Sequence, residues 1–179
     1  NENRDFIGSV SGGCIESFII EESLEIIAKK ELFKIKKFKV ANENAWNVGL
    51  SCGGEITVYL EKINFRKKTL KKIIQNIKKK IEFALLTDLS TGENEIFEKN
   101  KILKKNFIKF TNEINFLFKS KNSRIIKDTN IFVECYNNPL KVIIIGAVHI
   151  AQYLTDFANK LDFEIYIIDP RNYFGTEKR

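Results

Sequence analysis

Lys141-Val-Ile-Ile-Ile145-Gly146-Ala-Val-His149-Ile-Ala151 decides the fold: an apolar run, a glycine turn, then residues that open a helix. The helical pattern continues to about Leu161, and Glu164-Ile-Tyr-Ile-Ile168 follows as a second strand ending in Asp169-Pro-Arg171. Strand, glycine turn, helix, strand and acidic residue form the opening of a Rossmann-type unit. Asp169 stands 23 residues after Gly146, close to where a ribose-binding acid is expected. Against the G-x-G-x-x-G pattern, however, the turn supplies Gly146, Val148 and Ala151. The middle glycine, which lets a pyrophosphate approach the backbone, is missing. The pattern supports the fold more than it supports NAD(P) binding, for which Gly146 and Asp169 are the candidate residues; His149 is a further cofactor-binding candidate.

Upstream lie two blocks with a shared vocabulary, Gly8-Ser-Val-Ser11-Gly12-Gly13-Cys14-Ile-Glu16 and Gly49-Leu-Ser51-Cys52-Gly53-Gly54-Glu55. A thiol beside paired glycines sits where the backbone turns sharply and another molecule can come close. Cys14 leads into a helical pattern in which Ile15, Phe18, Ile19, Ile26 and Ile27 make an apolar stripe. At a helix N-terminus, unpaired N–H groups and the macrodipole favour the thiolate. The preceding glycines can expose amides suited to phosphate or another anion. A tight turn around a small buried cysteine fits the same residues. Cys52 precedes the strand Ile56–Leu60 and lacks the dipole argument. The two thiols could form a redox pair, bind a metal or flank a sulfur-containing ligand. The pattern is not that of a complete zinc site, because there is no Cys-x-x-Cys pair and His149 is the only histidine. Trp46, between the blocks, can stack on a planar ligand or anchor packing. Glu16 and Glu55 are acid–base candidates, though Glu16 is also an ordinary first-turn residue.

The chain has 179 residues, 44% hydrophobic and 30% charged, a globular composition. No apolar run is long enough to span a bilayer. Three cysteines, set in motifs rather than a disulfide framework, point to a reducing cytoplasmic setting. With no methionine, the sequence reads as an internal fragment. The net charge of +7 is unevenly spread. Residues 1–61 hold 7 basic and 10 acidic groups, 62–141 hold 19 and 8, and 142–179 hold 4 and 5. Only 5 of the 30 basic residues are arginine, the residue suited to clamping bases and phosphates. A lysine-rich solvated surface therefore fits better than a nucleic-acid site. Phe33–Val40 reads as a half-exposed strand, and Phe83–Thr87 with Glu95–Phe97 as a hairpin around Ser90-Thr-Gly92. Leu70, Ile73, Ile74, Ile77 and Ile81 predict one buried stripe on a helix over 66–81, with lysines opposite. Residues 100–127 show no clear period, and Cys135 falls in an expected core strand, Ile131–Cys135.

Taken together, these blocks resemble the XdhC/CoxI family, accessory proteins for maturation of xanthine dehydrogenase and carbon monoxide dehydrogenase. The resemblance runs through Gly8–Glu16, then Glu43-Asn-Ala-Trp46-Asn-Val-Gly49-Leu-Ser-Cys52-Gly-Gly54-Glu55. It resumes at Phe132-Val-Glu134, Val142–Ala151 and Asp169-Pro-Arg171, while the lysine-rich middle carries little of it. It implies an accessory protein, not an enzyme, that binds molybdenum cofactor as cargo and delivers it to a molybdenum hydroxylase apoenzyme. Its site would comprise Ser11, Gly12, Gly13, Cys14, Trp46, Ser51, Cys52, Gly53, Gly54, Gly146, His149 and Asp169, with Cys14 and Cys52 the candidate metal ligands. The resemblance leaves room for a cysteine desulfurase as a second partner and for a homodimer.

The expected architecture is α/β. An N-terminal α/β domain over 1–137 carries both glycine–cysteine motifs and a lysine-rich variable part over 62–130. The start of a Rossmann-like domain, truncated after its second strand, occupies 138–179. The main alternative function is an NAD(P)-dependent oxidoreductase. A thiol–disulfide or sulfur-transfer enzyme using Cys14 and Cys52, and a nucleic-acid-binding module, complete the classes considered.

Overall fold

A computed structural model describes residues 1–13, 15–29, 31–40, 54–99 and 101–174. These residues form two compact units, Asn1–Tyr136 and Asn137–Arg179, both of mixed α/β structure.

The first unit opens with helix α1, Glu16–Ala28, followed by strands β1, Phe33–Val40, and β2, Gly54–Glu61. The two strands pair antiparallel along their full length, from Phe33 opposite Glu61 to Val40 opposite Gly54. Ile15 and Ile26 bury the expected apolar side of α1, whereas Phe18 stays largely exposed and meets Phe38 at a ring distance of 6.4 Å. The lysines that alternate along β1 face acids on the helix: Lys34 and Lys36 both pair with Glu22.

A short 3₁₀ turn, Ile63–Arg66, leads into α2, Lys67–Lys78. Strands β3 (Phe83–Asp88), β4 (Asn94–Phe97), β5 (Arg124–Ile125) and β6 (Ile131–Tyr136) form an antiparallel sheet in the order β4-β3-β6-β5. Between β4 and β5 the chain makes α3, Lys105–Ile108, and α4, Thr111–Lys119. Strand alternation sends side chains to two faces, and both are covered. On one, Phe83, Leu85 and Ile96 pack with Ile73 of α2, and Phe83 stacks on Tyr136. On the other, Ala84, Leu86, Phe97 and Val133 pack with Phe107, Ile114 and Leu117. The region without a readable period thus supplies half of the main core. Cys135 lies at the edge of this cluster rather than inside it, its Sγ 3.7 Å from the carbonyls of Leu117 and Asn122.

The second unit is β7 (Lys141–Ile145), α5 (His149–Lys160) and β8 (Glu164–Ile168), the strands pairing parallel in register from Lys141 opposite Glu164. A parallel pair requires a crossover, which α5 provides. Gly146 turns the chain with φ +105°, a conformation that disfavours any side chain. Ile144, Ala147, Ala151 and Ala158 are buried, while Ile143, Ile145, Ile150, Tyr153 and Phe157 remain exposed.

Candidate functional site

The first glycine–cysteine block folds around a single carboxylate. Gly12 and Gly13 take positive φ, +76° and +111°, and so curl the backbone until its amides point inward. Glu16 reaches back from the first turn of α1 into that curl. Its Oε1 accepts from Ser9 Oγ (2.7 Å), Val10 N (2.9 Å) and Ser11 N (2.8 Å). Its Oε2 accepts from Ser11 Oγ (2.8 Å), Gly13 N (2.9 Å) and Ile15 N (3.2 Å). The serines bond twice: Ser9 Oγ also accepts from Gly12 N, and Ser11 Oγ from Ile15 N. These donors, led by the Ser11 amide, hold the Glu16 carboxyl well below the usual range. These bonds favour the ionised form of Glu16.

Of the three residues expected to receive an anion, Ser11 and Gly13 give their amides to the chain's own Glu16, and the Gly12 amide donates to Ser9 Oγ. A phosphate reaching them has to displace that carboxylate or share its donors. Cys14, Trp46, Ser51, Cys52 and Gly53 lie outside the described residues. The residues that flank them are placed by the topology. The Phe18–Phe38 contact sets the N-terminal end of α1 beside the far end of β1, and there Val40 pairs with Gly54. Ile15 and Gly54, which border the two blocks, are thus at the same end of the α1–β1–β2 layer. A cavity of about 240 Å³, lined by Phe6, Gly8, Val10, Glu16 and Ile19, opens beside the first block. A larger hollow of about 670 Å³ lies where Ile26 and Ile27 meet Leu60, at the opposite end.

The glycine turn of the second unit closes the same way. Asp169 accepts from Ala147 N (2.7 Å) and from Arg171 through its backbone N, Nε and Nη2 at 2.8–2.9 Å. The Arg171 guanidinium, with the two amides, holds the carboxyl far below its ordinary value. Val148 stands at the N-cap of α5 with no side-chain cap, and His149 packs edge-on against Tyr153 at 5.0 Å. Gly146 and Asp169 are thus brought together through Ala147, while the His149 ring turns to its own helix.

The fold is shared with a solved protein. The crystal structure of a xanthine dehydrogenase from Bacillus halodurans superposes with a TM-score of 0.67 at 20% identity, over 96% of this chain. That identity makes it a likeness of fold, and the chain spans about half, 52%, of the longer protein. No family model matches the chain, and no curated protein does. Among the described residues, no cluster of three or more His, Cys, Asp or Glu side chains could hold a metal, and no helix is long and apolar enough to cross a membrane.

One polar cluster was not read from the sequence. Arg66, buried at the end of the 3₁₀ turn, pairs through Nε with Glu61 Oε2 at 2.6 Å. Its Nη1 donates to Thr87 Oγ1 (3.3 Å), and its Nη2 to Tyr59 OH (3.3 Å) and the Gly92 carbonyl (3.4 Å). It thereby ties the β1–β2 ribbon to the four-stranded sheet. Burial raises Glu61 despite its partner and pushes Tyr59 up to about 12. The signal was present: an arginine in a chain that elsewhere prefers lysine, where a planar fork and several acceptors matter.

Proposed function

We propose that this chain is an accessory protein of the XdhC/CoxI type, which binds molybdenum cofactor and delivers it to a xanthine-dehydrogenase- or CO-dehydrogenase-like hydroxylase in the cytoplasm. The observation that carries the reading is the placement of Ile15 and Gly54 toward the same end of the α1–β1–β2 layer. The wording of the two blocks and the likeness of fold support it further. In this reading Cys14 and Cys52 offer soft sulfur ligands toward the molybdenum–dithiolene end of the cargo. The Ser11–Gly13 amides receive its phosphate in exchange for Glu16, and Trp46 covers the pterin. Such a site needs no turnover of its own. Residues 138–179 belong, on the same reading, to a Rossmann-like domain. The NAD(P)-oxidoreductase alternative gains little there, because its ribose-binding acid, Asp169, already holds an amide and a guanidinium.

The test is loading under anaerobic conditions. The protein and its Cys14→Ala and Cys52→Ala variants are incubated with molybdenum cofactor, and bound molybdenum and pterin are quantified. One equivalent bound by the parent, and at least about tenfold weaker retention in each variant, is expected for loss of a metal–sulfur contact. A folded parent that retains neither metal nor pterin would end the proposal.

A further inference from the structure

Helix α2 sits on its sheet in an orientation that its apolar residues alone would not choose. At roughly 100° per residue, Ile73, Ile77, Leu70 and Ile74 share one sector of the helix, the sector expected to be buried. Instead the buried line runs through Arg66, Ile73 and Asn76, with Asn76 1% exposed. Ile74 and Ile77 stay 51% and 55% exposed, and Ile81, just beyond the helix, 41%. The helix is turned by about 60° from its hydrophobic optimum, on the same wheel geometry.

Three polar ties hold it there. Thr69 Oγ1 donates to Asn94 Oδ1 (2.6 Å), Asn76 Nδ2 donates to Glu98 Oε1 (2.8 Å), and Arg66 bonds Thr87 and Gly92. Burying an asparagine while leaving two neighbouring isoleucines in water costs stability, so the orientation is specified against the hydrophobic preference. On the wheel, the free border of the isoleucine sector is occupied by Lys67, Lys71 and Lys78, all exposed.

We infer that the Ile74–Ile77–Ile81 stripe with its lysine border is a docking surface for an acidic protein partner, one presenting an apolar centre edged by carboxylates. Charge complementarity selects the occupant. The segment 62–141 holds 19 basic against 8 acidic groups, so the same face of a second copy would repel it. A membrane-seeking helix needs its whole apolar face free and rich in Trp, Phe or Leu. Here half of the apolar sector is packed on the sheet, and the exposed remainder is isoleucine alone. A narrow apolar strip with a charged edge instead has the layout of a protein interface. The partner is named as the recipient hydroxylase only on the strength of the carrier reading; the surface itself is argued from α2.

The experiment measures association of the whole protein with a cofactor-free molybdenum hydroxylase from the same source. Two variants are compared: Ile74→Asp with Ile77→Asp, and the charge reversal Lys67→Glu, Lys71→Glu, Lys78→Glu. Both change exposed positions, and far-ultraviolet circular dichroism confirms that each folds. Each set is expected to weaken association by roughly tenfold or more, the lysine set losing its effect in high salt. Cofactor loading is measured in parallel and should not change. Unchanged association in both variants, or none in the parent, overturns the docking inference whatever the loading result. Failure of loading with association intact overturns the carrier reading instead. Binding to phosphatidylserine vesicles, or a self-association, that both variants abolish would assign the stripe to a membrane or a second copy and overturn the inference as well.

Discussion

Glu16 is an anion that the chain supplies to its own glycine-rich turn. Four amides and two serine hydroxyls converge on it, and a glutamine there would present an NH₂ to groups that can only donate or already accept. The folded state favours the ionised form, so this carboxyl adds stability above its ordinary titration near pH 4.5 and loses it as pH falls below that value. Glu16→Gln should therefore destabilise the protein at pH 7 and flatten its acid dependence. Urea midpoints taken from pH 7 to pH 3 check this: the gap between parent and variant is expected to narrow as the pH drops below about 4.5. A gap constant with pH would contradict the assigned role. Asp169 repeats the device on Ala147 and Arg171. The sequence places these acids but not their use, because a glycine-rich turn suits an external phosphate and an internal carboxylate equally well. Only the chain path, which brings Glu16 back over Ser11 and Gly13, separates the two.

Elements were legible wherever one signal dominated. β1 spans Phe33–Val40 as alternation predicts, and the hairpin β3–β4 turns at Gly92 with φ +74°. Helix ends were less legible, because the usual glycine is absent from them. The chain leaves α2, α4 and α5 through left-handed residues at Lys80 (φ 53°), Lys121 (φ 55°) and Asp162 (φ 57°). In each case the next amide bonds a carbonyl five residues back: Ile81 to Asn76, Asn122 to Leu117, Phe163 to Ala158. This is the Schellman arrangement, which glycine normally fills. Lys121→Gly should relieve the left-handed strain and stabilise the protein by about 1 kcal/mol, seen as a raised urea midpoint with unchanged slope. The rotation of α2 was not legible for a different reason. Periodicity reports where apolar residues cluster, not which polar ties will hold the helix, and here Thr69, Asn76 and Arg66 decide.

At the scale of the molecule, the sequence motifs and the largest charge excess occupy different places. Ile15 and Gly54, one from each glycine–cysteine block, lie toward the same end of the α1–β1–β2 layer, while the lysines concentrate on and around α2. The carrier role proposed above would use both, one place to hold cargo and another to meet a recipient. Transfer tests that claim most directly. Protein loaded with molybdenum cofactor and freed of excess is mixed with cofactor-free hydroxylase, and metal, pterin and hydroxylase activity are followed together. The account predicts that metal and pterin leave this protein and that activity appears in step with their arrival. A hydroxylase that free cofactor activates, but that the loaded protein leaves empty, would contradict it.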